Sequence, residues 1–190
     1  GYRSLASADF DAALRRALGQ RTIRTGNRVR AISAGALVLA DGTPVSARTV
    51  IDCRDGSDVS HLSGGWQVFM GRHLRLPAPH GLTRPVIMDA TVAQIGGYRF
   101  VYVLPLGPCE VFVEDTYYND TPTLDHETLS ARLDAYAAAQ GWQGETVGTE
   151  TGVLPVITGG DFAAFQAAQR IPGVAMAGAR GGFVHPLTSY

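Results

Sequence analysis

Two carboxylic acids stand side by side at Glu114 and Asp115, after the apolar run Val111-Phe112-Val113 and before Thr116-Tyr117-Tyr118. Successive side chains of a strand point to opposite faces, so one acid enters whatever cavity the strand borders while the other faces away. A carboxyl group among apolar side chains loses hydration as an anion. Its pKa rises, and it can stay protonated near neutrality as a general acid. The same dipeptide also fits a plain strand-end turn. Asp89 repeats the arrangement after Val86-Ile87-Met88, again with a turn or capping aspartate as the alternative. The loop His80-Gly81-Leu82-Thr83-Arg84-Pro85 has one histidine and no second at ligand spacing, so no metal site is expected.

The aromatic residues Trp66, Phe69, Tyr98, Phe100, Tyr102, Phe112, Tyr117 and Tyr118 cluster in the middle of the chain. Most are expected in the core, but a subset can line a cavity for a long apolar ligand, where π faces favour a developing positive charge. Near the end, Ala177-Gly178-Ala179-Arg180-Gly181-Gly182-Phe183-Val184-His185-Pro186 takes a small-residue run into closely spaced glycines. Such a segment lets backbone approach a ligand, and a following helix N-terminus would suit a phosphate or a flavin edge. A Gly-rich turn has the same composition. The dinucleotide fingerprint G-x-G-x-x-G is absent.

These residues need elements to hold them. Asp9 to Leu18 has the 3.6-residue apolar repeat of a helix, with Gly19 placed to end it. Strand-like runs follow at 22–24, 28–32, 36–39 and 45–52, with Asp41-Gly42 as a hairpin turn. Val, Ile, Phe and Tyr then dominate 66–76, 85–91, 98–104 and 110–117 without an intervening helix, which predicts an antiparallel sheet. Thr123 or Asp125 can cap a helix reaching Gln140. An extended stretch at 144–157, a short helix at 162–170 and a small-residue strand at 174–177 complete the pattern. The fold class is mixed α/β.

Composition narrows the function classes. The 190 residues carry 16 basic and 17 acidic side chains, for a net charge of −1. That balance is not the basic footprint of a nucleic-acid binder. Every basic residue is arginine, so lysine chemistry, whether a Schiff base or a phosphate-loop lysine, is absent. Charged residues are only 17% against 45% hydrophobic, which leaves room for a substantial core. No apolar run is long enough for a transmembrane helix. Cys53 and Cys109 lack metal-ligand spacing, and a reducing cytoplasm is the simpler setting. The chain begins at Gly1 and is expected to be an excised piece.

Three long blocks resemble the bacterial-type lycopene β-cyclases: APHGLTRPVIMDATV (78–92), GYRFVYVLPLGPCEVFVEDTYYNDTPTLD (97–125), and TGVLPVITGGDFAAF (151–165) with AGARGGFVHPLTSY (177–190). The resemblance implies a Rossmann-like FAD domain whose chain leaves for a substrate domain and then returns. Residues 1–56 and 159–190 would be FAD-domain pieces, and 57–158 an antiparallel-sheet carotenoid domain. The segment cradling the FAD pyrophosphate would lie upstream of Gly1.

The resemblance further implies a redox-neutral, acid-initiated closure of the linear ends of lycopene to β-ionone rings. Glu114 would be the acid, with Asp115 as support or alternate, and Asp89, Tyr102 and Phe112 are the expected carotenoid contacts. Gly178, Arg180, Gly181, His185 and Pro186 match the family's segment near FAD. Reduced FAD would stabilise cationic charge, with NADPH serving only to keep it reduced. A peripheral contact with the inner membrane from the cytoplasm follows from a lipid-dissolved substrate. Two other readings remain: a flavin oxidoreductase of related fold, against which the EDTYY block argues, and a non-catalytic apolar-ligand module, which would not need Glu114.

Overall fold

The computed structural model describes residues 5–19, 23–54 and 58–182. These divide into two compact units, one built from 5–58 and 162–182 and the other from 59–161.

The first unit opens with α1 (Ser7–Leu18), which ends where Gly19 takes a positive φ of 76°. A meander of β1 (Val29–Ser33), β2 (Ala36–Leu39) and β3 (Pro44–Ser46) follows. Its second turn is the expected Asp41-Gly42: Gly42 has φ 90°, and the Thr43 amide donates to Asp41 Oδ1 at 2.8 Å. The apolar run expected as one strand over 45–52 is two. β3 closes the meander, while β4 (Val50–Asp52) pairs in parallel with β10 (Val174–Met176) in a separate sheet. The break falls after Ser46, where the Ala47 amide donates to the Gly35 carbonyl at 2.8 Å and anchors the chain as it leaves the meander. Of the strand expected at 22–24, residues 23 and 24 lie outside any strand, and residue 22 is not among the described residues. Helix α3 (Phe162–Gln169) precedes β10, and a short 3₁₀ turn (Gly178–Gly181) follows it.

The second unit is a five-stranded antiparallel sheet in the order β6-β7-β8-β5-β9, formed by β5 (Leu62–Arg75), β6 (Val86–Asp89), β7 (Arg99–Gly107), β8 (Glu110–Asn119) and β9 (Glu145–Gly160). Helix α2 (His126–Ala139) covers one face. Of the two expected caps, Thr123 and Asp125, it is Asp125 that serves, accepting from the Thr128 amide at 3.0 Å and from its hydroxyl at 2.7 Å. Leu129, Leu133 and Ala137 recur every four residues and so share one helix face. They pack on Val68, Met70, Leu74, Val101, Val103, Val111 and Val113, all less than a tenth exposed. Arg72 of β5 ties the helix down through Asp134 and Ser130.

That packing fixes which side of the sheet every other residue takes. The odd-numbered residues of β7 and β8 point to α2, so the even-numbered ones, Phe100, Tyr102, Phe112, Glu114 and Thr116 among them, form the opposite face. Among the described residues no helix is long and apolar enough to cross a membrane. Cys53 and Cys109 are free thiols.

Candidate active site

The two neighbouring acids separate as alternation requires. Asp115 faces α2 with its side chain fully buried. It meets Arg99 in a two-pronged ion pair, Nε to Oδ1 at 2.9 Å and Nη2 to Oδ2 at 2.5 Å. Arg99 is 5% exposed and also donates through Nη1 to the Ala93 carbonyl at 3.0 Å. Gln94 fixes the same corner, accepting from the Arg99 amide at 2.9 Å and donating to its carbonyl at 2.8 Å. A carboxyl group so fully engaged by a guanidinium is a structural pair, and it faces α2 instead of the side that carries Glu114. The expectation of Asp115 as an alternate acid gives way to this geometry. Arg99 was not anticipated as its partner, although an arginine in line with the inward-facing Val101 and Val103 needs a buried acid close by.

Glu114 faces the other way. Tyr102 of β7 lies opposite it on one side and Gly71 of β5 on the other, with Glu150 of β9 opposite Gly71. One lateral row across four strands therefore reads Tyr102, Glu114, Gly71, Glu150. Phe112 and Thr116 stand two residues away on the same strand and face. The Thr116 hydroxyl donates to Glu114 Oε1 at 2.9 Å. Around them the face is aromatic: Phe100 is 1% exposed and meets Tyr102 edge-on at 5.2 Å, and Tyr98 stacks on Tyr118 at 6.0 Å.

Loss of hydration in this half-buried setting pushes the Glu114 carboxyl up to about 7. The Thr116 hydrogen bond pulls the other way, and the negative charge of Glu150 adds to the rise. The acid and its anion are thus both well populated near neutrality, the condition under which a general acid works best.

Asp89 does not join this face. It pairs with Val101 and so lies on the side of α2, where Tyr136 donates to Oδ2 at 3.0 Å. Its other oxygen accepts from the Thr91 amide at 3.0 Å and the Thr91 hydroxyl at 2.6 Å, and these bonds hold its carboxyl below the usual range. Asp89 is the turn-forming aspartate that the sequence also allowed. Burial and the Asp89 charge push Tyr136 up to about 12. The two remaining expected contacts, Tyr102 and Phe112, flank Glu114 directly.

In the first unit, the glycine-rich segment follows the C-terminal end of β10, the end at which parallel strands bind ligands. Gly178 is exposed with φ 61°, and the space where a side chain would project is open. Gly181 is buried. Arg180 turns back onto Asp52, Nε to Oδ2 at 2.9 Å, too obliquely for a hydrogen bond, and Nη1 donates to Gln169 Oε1 at 3.4 Å. Arg54 grips the same aspartate with two bonds of 2.9 Å, and the two arginines lower the Asp52 carboxyl to about 2. The expectation that Arg180 reaches a cofactor therefore yields to an internal ion pair with a buried aspartate that the sequence reading passed over. His185 and Pro186 lie outside the described residues. Among the described residues no group of three or more His, Cys, Asp or Glu could hold a metal ion.

The model of the family described as lycopene cyclase protein matches residues 1–190. The chain is 43% identical over 191 residues to a lycopene beta-cyclase of Pantoea ananas and 40% identical over 196 residues to one of Paracoccus sp.. Each alignment takes in the whole chain, which spans about half the length of these curated relatives, 49% and 48% respectively. Among solved structures, a peptidyl tryptophan dihydroxylase matches with TM-score 0.57 at 14% identity, over 90% of this chain and 40% of its own. HpxO of Klebsiella pneumoniae complexed with FAD matches with TM-score 0.53 at 16% identity, over 93% and 49%. These two likenesses establish a shared fold.

Proposed function

The chain belongs to the lycopene cyclase family, and from that membership we propose that it forms part of a lycopene β-cyclase in which Glu114 starts ring closure by protonation. The observation that carries this reading is a carboxyl group raised to about 7 on the aromatic face of the sheet. A linear polyene offers no polar handle, so its activation needs a neutral acid among apolar groups. An ionised carboxylate could not supply the proton.

The step balances without any oxidant. The terminal double bond uses its π pair to take the proton of Glu114, forming a C–H bond and leaving a tertiary cation on the neighbouring carbon. The internal double bond attacks that cation and closes the six-membered ring. One proton then leaves the carbon beside the new cationic centre for the Glu114 carboxylate, which restores the acid and leaves an isomer of unchanged mass. Tyr102 and Phe112 would hold the linear end against the acid. Asp115 and Arg99 would fix the strand that carries it.

FAD would be held by the first unit at Gly178, where exposed backbone and open space at the end of β10 support the reading. Arg180 would remain on Asp52. In its reduced form FAD would supply negative charge able to stabilise a cation, and NADPH would serve to keep it reduced. Lycopene dissolves in lipid, so the protein would work as a peripheral enzyme at the cytoplasmic surface of the inner membrane, with no nucleic-acid partner.

Expression of the full-length gene in lycopene-accumulating cells tests the reading. We expect a product of unchanged mass with the absorption and retention of a ring-closed carotene. A product heavier by oxygen, or lighter or heavier by hydrogen, would replace this function with an oxidoreductase.

A further inference from the structure

Two glycines on the Glu114 face have no conformational reason to be glycine. Neither Gly71 of β5 nor Gly152 of β9 takes a left-handed φ, and glycine within a strand weakens it. What each provides is space for a ring. A Cβ at Gly71 would come within 2.3 Å of Phe112 Cζ and 2.8 Å of its Cε2. A Cβ at Gly152 would come within 2.3 Å of Phe69 Cζ and 2.4 Å of its Cε1.

The two rings lean in the same sense. Phe112 reaches from β8 over Gly71 on β5, and Phe69 reaches from β5 over Gly152 on β9. They overlap the sheet like shingles, each tipped one strand toward the β9 edge. Each ring thus lies over the neighbouring strand on the Glu114 side of the sheet. Both are half-buried, unlike the valines under α2. Glu114 sits at their junction: directly opposite Gly71, two residues from Phe112, and diagonal to Phe69 across β5.

We infer that Phe69 and Phe112, seated by Gly152 and Gly71, form a two-ring π floor that stabilises the positive charge created when the Glu114 proton is delivered. This rests on the cyclase reading proposed above. Protonation at Glu114 puts a full positive charge on a hydrocarbon that cannot spread it by hydrogen bonding. The negative faces of aromatic rings are what such a cation can use in a site without water. The floor thus acts on the transition state more than on the neutral polyene, so it affects turnover and not binding.

The test places mono-, di- and trifluorophenylalanine at 69, and separately at 112, in the full-length holoenzyme. Successive fluorines withdraw electron density from the ring face with little change in shape. We expect kcat to fall stepwise, reaching about 3- to 30-fold with three fluorines, at nearly constant KM. Gly152→Ala, which displaces the Phe69 ring, should lower kcat in the same way. Because the fluorinated series is close to isosteric, it decides the matter even where the alanine variant folds poorly. Flat kcat across both series, with Glu114→Gln inactive, overturns the π floor alone. Full cyclisation by Glu114→Gln would instead overturn the cyclase assignment of Glu114 on which it rests.

Discussion

Glu114→Gln in the full-length enzyme should lower the rate of ring formation by about 10²- to 10⁴-fold, the range that a positioned general acid contributes. Glutamine keeps the size and the Thr116 hydrogen bond of the side chain but cannot give up a proton to carbon. Carotene binding and folding should change little, because the neutral form of Glu114 is already uncharged on the aromatic face. The wild-type rate should depend on pH with one ionisation. A carboxyl raised to about 7 is protonated below that pH and loses its proton above it, so activity falls as pH rises through 7. The Gln variant's residual activity should lack this step. Steady-state turnover of lycopene, with substrate binding followed separately, checks all three expectations.

Asp115→Ala, one residue away, should fail for a different reason. It strands Arg99, 5% exposed, without its counter-charge. Removing one member of a buried pair typically costs about 3–5 kcal/mol, a large part of the stability of an ordinary domain. Urea unfolding of the full-length protein should show that loss. Replacing the pair together, as Arg99→Met with Asp115→Leu, should recover much of it, because two apolar side chains need no counter-charge. Cyclisation per folded molecule should survive in the double variant, whereas no repacking on the α2 side should rescue Glu114→Gln. Loss of cyclisation in a fully folded double variant would return Asp115 to the chemistry.

The contrast between these neighbours rests on side-chain alternation, the part of the account most legible in the sequence. Runs of Val, Ile, Phe and Tyr marked four strands of the main sheet, the extended stretch at 144–157 marked the fifth, and the Glu114-Asp115 step already required the two acids to part. Asp125 as a cap and Asp41-Gly42 as a turn were equally readable, because each acts on backbone within three residues. The misread features depend on partners far along the chain. The split between β3 and β4 arises because β4 pairs with β10, more than a hundred residues away. Asp89 fell to the α2 side because an irregular pairing of β6 with β7, with Met88 at φ 57°, sets its direction. Arg180 answers to Asp52 across a similar distance. The shingled rings over Gly71 and Gly152 depend on the register of three strands at once, and no local pattern encodes that.

The central claim is that Glu114 is a carboxylic acid, not a carboxylate, when it meets the substrate. Infrared difference titration of the full-length holoenzyme, wild type against Glu114→Gln, observes this directly through the protonated-carboxyl C=O band. The band should be lost as pH rises through about 7 and be missing from the variant. A band that disappears in the ordinary glutamate range, at about 4.3, would show the group ionised at working pH and would contradict the account.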